Sequence, residues 1–254
     1  MLRKAFLERK EVCMNVFVTD SYEEMSRAAA DVIATLVAEK PDCVLGLATG
    51  STPIGLYAEL VKDYEAGKIS FAKVKSFNLD EYRGLPGDHD QSYRYFMNTN
   101  LFDHVDIDKA QTHVPDGTNP DAEAEGLAYE AAIEEAGGVD LQLLGLGHNG
   151  HIGFNEPADD FPVITHVVDL TESTINANSR LFDSIDEVPR QAYTMGIGTI
   201  MKAREILLVV NGEGKAEIVR DVLTGPVTPR VPASALQLHP KVTVVLDKEA
   251  AKLL

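Results

Sequence analysis

The stretch richest in reactive side chains is Gly145-Leu146-Gly147-His148-Asn149-Gly150-His151-Ile152-Gly153-Phe154-Asn155-Glu156-Pro157. A histidine, an amide and a glutamate set among glycines suffice for acid–base work on a sugar. The opening also matches Gly-x-Gly-x-x-Gly, and Asp169 lies at the distance of a ribose-binding acid. That fingerprint needs a helix to begin at its third glycine. Gly153 and Pro157 interrupt the turns that follow, and no amphipathic pattern continues, so a dinucleotide site ranks second and no cofactor is expected. His148 and His151 are three residues apart, but no Cys or third His completes a ligand spacing, so no metal is expected either.

Three other stretches carry groups of the same kind. In Thr49-Gly50-Ser51-Thr52 the glycine lets the backbone approach a ligand, and a helix starting just after it would present free N–H groups to an anion. Gly50, Ser51 and Thr52 therefore form a candidate phosphate cradle, although the Lys-Ser/Thr ending of a nucleotide-binding P-loop is missing. Asn78-Leu79-Asp80-Glu81-Tyr82 places two carboxylates side by side. On an extended chain they point to opposite sides, so one can face a cleft while the other faces solvent. Asn211 to Lys215 ends in a cation that, with Arg180, can complete an anion site.

Positioning these loops requires a scaffold, and the chain reads as alternating strands and helices. Asn15 to Thr19 has the pattern of a strand, Ser21 and Glu24 fit a capping box, and Met25, Ala29, Val32 and Leu36 recur at helical spacing until Pro41. Val44–Leu47, Val74–Leu79, Val139–Leu146, Ile206–Val210 and Val242–Leu246 read as buried strands. Helices are expected after Thr52, taken as an N-cap, from about Pro120 to Ala136, and over Lys215 to Leu223. Short apolar strands alternating with helices imply an α/β fold, a Rossmann-like, mostly parallel sheet with helices on both faces. Ligands then bind beyond the carboxyl ends of the strands, where all four loops fall.

The 254 residues, 44% of them hydrophobic, fit one domain spanning 14–254, with residues 1–13 set aside as an N-terminal extension, non-native or disordered. A net charge of −17 disfavours nucleic acid and anionic membrane as partners, and no apolar run is long enough to span a bilayer. A cytoplasmic location is expected. Cys13 and Cys43 give no disulfide framework.

Together, Leu47-Ala48-Thr49-Gly50-Ser51-Thr52-Pro53, Phe77-Asn78-Leu79-Asp80-Glu81-Tyr82 and Asn149 to Pro157 closely resemble the glucosamine-6-phosphate deaminases. Asn178-Ser179-Arg180 and Leu236-Gln237-Leu238-His239-Pro240 extend the match over nearly all of 14–250. The resemblance implies conversion of glucosamine 6-phosphate and water to fructose 6-phosphate and ammonia, a step of amino-sugar catabolism. It assigns ring opening to His151, oriented by Glu156 and Asn149, and C2 proton transfer to Asp80. It gives phosphate binding to Gly50, Ser51, Thr52, Arg180 and Lys215, and makes about 158–186 a lid. Several relatives carry Asp at the position of Asn149; an amide orients a ring but supplies no countercharge. Larger relatives are activated by N-acetylglucosamine 6-phosphate through a serine pair and basic residues after the Asn-Glu-Pro motif. Pro157-Ala158-Asp159-Asp160 and Val163-Ile164-Thr165-His166 lack these groups, so the resemblance is to a short, non-allosteric type, a monomer or small homo-oligomer binding only a sugar phosphate. A 6-phosphogluconolactonase-like hydrolase and a non-catalytic sugar-phosphate-sensing module are the alternatives. The first gives Asp80 no role as a carbon-acid base, and the second would be expected to accompany a DNA-binding segment, for which residues 1–13 are too short.

Overall fold

The computed structural model describes residues 3–6, 14–172, 175, 176, 179, 182 and 184–254. In chain order the elements begin β1 (Arg3–Phe6), β2 (Met14–Thr19), α1 (Tyr22–Glu39), β3 (Val44–Leu47), α2 (Ile54–Glu65), β4 (Lys75–Asn78) and β5 (Asp80–Tyr82). They continue with α3 (Tyr93–Asn100), β6 (Thr112–His113), α4 (Ala122–Glu135), β7 (Leu141–Leu144), β8 (His166–Asp169) and β9 (Gln191–Thr194). The last are α5 (Ile197–Met201), β10 (Glu205–Val210), α6 (Ala216–Thr224) and β11 (Val242–Asp247).

The main sheet runs β1-β2-β11-β10-β7-β3-β4-β6, flanked by helices, and every pairing in it is parallel except β1 with β2. It is the Rossmann-like arrangement the apolar strand pattern predicts. From β3 the chain winds outward to β4 and β6, then returns to β7 on the other side and winds out through β10 and β11. The order reverses between β3 and β7, which opens a crevice at their carboxyl ends. β3 and β7 are buried along their whole length, as strands covered on both faces must be.

Local chemistry sets most helix starts. Ser21 accepts from the Glu24 N–H at 3.2 Å and caps α1, while the Glu24 carboxylate reaches the Asp20 N–H instead of Ser21's own, one residue off the full box. Two expected starts differ. α4 is capped by Asp121, which accepts from the Ala124 N–H, so Pro120 lies before the helix. Thr52 does not cap α2: Pro53 occupies the cap position, and the Thr52 hydroxyl donates to Asn211 Oδ1 at 2.8 Å. A tertiary partner has outcompeted the local one.

A second, antiparallel sheet, β5-β9-β8, grows from the first. The Leu79 N–H still donates to Leu47 in the main sheet at 3.0 Å, whereas its carbonyl accepts from the Met195 N–H at 2.7 Å. The chain changes sheets at that residue, and Asp80 is the first beyond the change. A small apolar cluster of Tyr82, Phe154, Leu170, Ile175, Val188 and Ala192 supports this second sheet.

Candidate active site

The loops after β3, β4, β7 and β10, four adjacent strands, enclose a cavity of about 310 Å³ at the crevice. Its lining includes Gly50, Ser51, Thr52, Asp80, His151 and Lys215, six of the nine residues singled out from sequence. Asn149 and Glu156 stand behind His151. Arg180 falls outside the described residues, as does Asn178.

The anion end is built on backbone. Gly50 has φ +100°, a conformation that favours glycine, and it turns the chain so that 50–52 edge the cavity. Among the described residues no protein acceptor meets the N–H groups of Gly50, Ser51 or Thr52. The Tyr22 hydroxyl braces the loop from behind: it accepts from the Gly55 N–H at 2.8 Å and lies 3.1 Å from the Thr52 carbonyl. Lys215 faces the loop from the start of α6, with its ammonium donating to the Leu146 carbonyl at 2.6 Å. Burial lowers its pKa.

Asp80 is 6% exposed and accepts no hydrogen bond from the described residues. Burial, and then the charge of Glu81, push its pKa up to about 8, so near neutrality it can both take and return a proton. Gly153 closes over it. A Cβ there would come 2.6 Å from Thr194 Oγ1, and Gly153 itself has φ +58°. Glu81 turns away from Asp80, as alternation requires, but not toward solvent. It is 2% exposed and meets the N-terminus of α3.

His151 Nδ1 lies 3.2 Å from Glu156 Oε1, close enough for ion pairing but outside hydrogen-bond geometry. Its imidazole rests over Gly147, where an added Cβ would fall 2.3 Å from Nε2. Asn149 does not bond the ring. Its amide donates to Glu156 Oε2 and its oxygen accepts from the His151 N–H at 3.3 Å, so it acts on the imidazole through the carboxylate and the backbone. Burial works to raise the Glu156 carboxyl, but the contacts with His151 and Asn149 hold it below the usual value. The loop is fixed from below by Asn155, which donates to Ile152 and Met195 carbonyls at 2.9 and 2.8 Å.

Sequence reasoning missed Tyr93 and Phe154, whose parallel rings, 6.1 Å apart, wall the cavity beside Asp80. The one local signal for Tyr93 is Ser92, which caps α3 through the Tyr95 N–H. Nothing in the local pattern marks Tyr22 or Thr194. Among the described residues no group of three or more His, Cys, Asp or Glu could hold a metal ion. No helix among them is long and apolar enough to cross a membrane.

Residues 19–245 match a family model described as glucosamine-6-phosphate isomerases/6-phosphogluconolactonase. The chain is 57% identical over 241 residues to the glucosamine-6-phosphate deaminase of Clostridium perfringens (strain ATCC 13124), covering 95% of this chain and 100% of that one. Identity to the enzyme of the same name from Thermoanaerobacter pseudethanolicus is 54%, covering 95% of each. Among solved structures, a monomeric glucosamine-6-phosphate deaminase superposes with a TM-score of 0.91 at 48% identity, over 94% of this chain and 99% of that one. The 6-phosphogluconolactonase of Trypanosoma brucei gives 0.73 at 23% identity, over 98% and 100%, and shares the fold alone.

Proposed function

We infer the function from one premise, that this chain belongs to the glucosamine-6-phosphate isomerase/6-phosphogluconolactonase family: it is a glucosamine-6-phosphate deaminase. It converts glucosamine 6-phosphate and water to fructose 6-phosphate and ammonia. The observation that carries the reading within the family is Asp80, a buried carboxylate of raised pKa in the same cavity as His151. Moving a proton between neighbouring carbons needs such a base, and lactone hydrolysis does not.

In the proposed mechanism the N–H groups of 50–52 and the Lys215 ammonium hold the phosphate, joined by Arg180 on the strength of the sequence motif. His151 takes the proton of the anomeric hydroxyl and passes one to the ring oxygen, so the C1–O5 bond breaks and the aldehyde forms. Glu156 stabilises the protonated imidazole on the Nδ1 side, and Asn149 fixes Glu156. Asp80 then removes the C2 proton. The electron pair of that bond becomes the C1=C2 double bond of an enolamine as the carbonyl oxygen is protonated. Asp80 returns its proton to C1, the nitrogen lone pair forms the C2=N bond, and water replaces ammonia at C2.

The proposal further treats 14–254 as one catalytic unit and 158–186, which lies partly outside the described residues, as a cover over the cavity, with its β8 paired to β9. Residues 1–13 stay outside that unit, although Arg3–Phe6 add β1 to its sheet edge. It places the enzyme in the cytoplasm, where phosphorylated sugars are retained, as a monomer or small homo-oligomer without nucleic-acid partners. The test is a coupled assay for fructose 6-phosphate and ammonia, run with and without chelator. Absence of both products overturns the reading, and loss of activity with chelator overturns its metal-free chemistry.

A further inference from the structure

Glu81 is a buried carboxylate that the mechanism above leaves without a task. Its Oε1 accepts from the Tyr82 N–H at 2.8 Å and the Tyr93 N–H at 2.9 Å, and its Oε2 from the Arg94 N–H at 2.9 Å. Two of these donors are the first N–H groups of α3, which have no partner inside the helix and carry the positive end of its dipole. Three N–H bonds favour the ionised carboxylate. Tyr93, fixed by this contact, packs 4.8 Å from the Tyr82 ring and stacks on Phe154, and both Tyr93 and Phe154 line the cavity with Asp80.

We propose that Glu81 is a positioning residue for proton transfer at C2: its carboxylate pins the start of α3, and with it the Tyr93 wall, while its charge keeps Asp80 basic enough to take a carbon-bound proton. The proposal rests on the deaminase reading. The two carboxylates are adjacent on β5 and both buried, but among the described residues only Glu81 has hydrogen-bond donors. It therefore ionises first, and Asp80 must lose its proton beside a charge already present. Burial raises both, Glu81 to about 7 and Asp80 to about 8. The other titratable neighbours do not reverse that order. Tyr57 from α2, Tyr93 from α3, Tyr129 from α4 and Tyr82 from β5 have hydroxyls pushed up by burial and are neutral in this range. The Arg94 guanidinium acts on Glu81 and favours its ionised form. Lys215 and His151, the latter paired with Glu156, share the cavity with Asp80 and stand on other loops.

Glu81→Gln keeps the shape and one acceptor oxygen while removing the charge. At an effective dielectric of about 20, loss of a neighbouring charge lowers a carboxyl pKa by about one unit. The acidic limb of kcat/KM against pH should move down by about one pH unit, with a roughly two- to tenfold lower plateau from the weaker base. Glu81→Asp, which keeps the charge, should leave the limb in place. A limb unmoved in a folded Glu81→Gln protein overturns the proposal, since a purely structural cap predicts that result. Carboxyl carbon-13 NMR of the unaltered protein gives an independent test that requires neither a stable variant nor turnover. Glu81 is expected to lose its proton before Asp80, and the reverse order overturns the proposal whatever becomes of the deaminase reading.

Discussion

Replacing Asp80 by asparagine tests the chemistry and the electrostatics of the site in one variant. An aspartate ordinarily titrates near 3.8, and burial beside Glu81 lifts Asp80 to about 8. Between these values the folded chain holds a proton that the unfolded chain has released, so unfolding releases a proton. Stability therefore falls as pH rises from about 4 to about 8 and levels off above that. At about 1.4 kcal/mol per pH unit, the ionised carboxylate costs on the order of 5 kcal/mol of folding free energy. Asp80→Asn removes the charge but leaves an amide unpaired in the cavity, a penalty of about 1–3 kcal/mol. The net gain should be about 2–4 kcal/mol at pH 9 and vanish by pH 5, where the parent carboxyl is protonated. For a chain of this size that is a Tm raised by roughly 5–10 °C at pH 9 only. Turnover, and exchange of the C2 hydrogen in deuterated water, should fall by about two to four decades. Calorimetry at both pH values and the exchange assay read the two halves. A Tm difference independent of pH refutes the electrostatic argument, and near-normal exchange moves the base elsewhere.

His151→Gln should impair ring opening, so a ring-opened substrate analogue should lose much less rate than the cyclic sugar; equal losses contradict the assignment. Gly147→Ala should reproduce that pattern in a folded protein, because its Cβ would meet the imidazole at 2.3 Å and displace it. Lys215→Ala should raise KM for the phosphorylated sugar by about 10- to 100-fold, the equivalent of 1.5–3 kcal/mol, and spare residual activity on free glucosamine. Initial rates should be hyperbolic and indifferent to N-acetylglucosamine 6-phosphate, since the stretch after Asn155-Glu156-Pro157 carries Asp159, paired with Arg230, and the exposed Asp160 in place of phosphate-binding hydroxyls. Sigmoidal kinetics made hyperbolic by that ligand refute this.

The inner strands β3, β7, β10 and β11 were legible because each is a short, buried apolar run, such as the Leu-Gln-Leu-Leu of β7, whereas the edge strands β1 (Arg-Lys-Ala-Phe) and β6 (Thr-His) offer no such run. Even the polar residue of β7 fits: the buried Gln142 amide lies where Gly46 has no side chain. The second sheet was not legible, since β5, β8 and β9 have three or four residues of mixed polarity, and partners such as Asp80 and Thr194 are far apart in sequence. The same distance effect moved the Thr52 hydroxyl from its local capping role to Asn211. For the site, residue type picked out the Asp80-Glu81 pair and the loop that holds His151, Asn149 and Glu156, the family resemblance chose among these groups, and strand alternation set the two carboxylates on opposite sides. What alternation cannot supply is the medium each side chain enters. Burial of both carboxylates is not legible locally, because α3, with Met97 as its one buried residue, has too weak an apolar pattern to predict a helix there. Once α3 covers Glu81, two carboxylates share one buried envelope, and the three N–H groups on one of them decide which ionises first. Proton affinity at this site is thus a tertiary property, set by a helix that the local sequence barely announces.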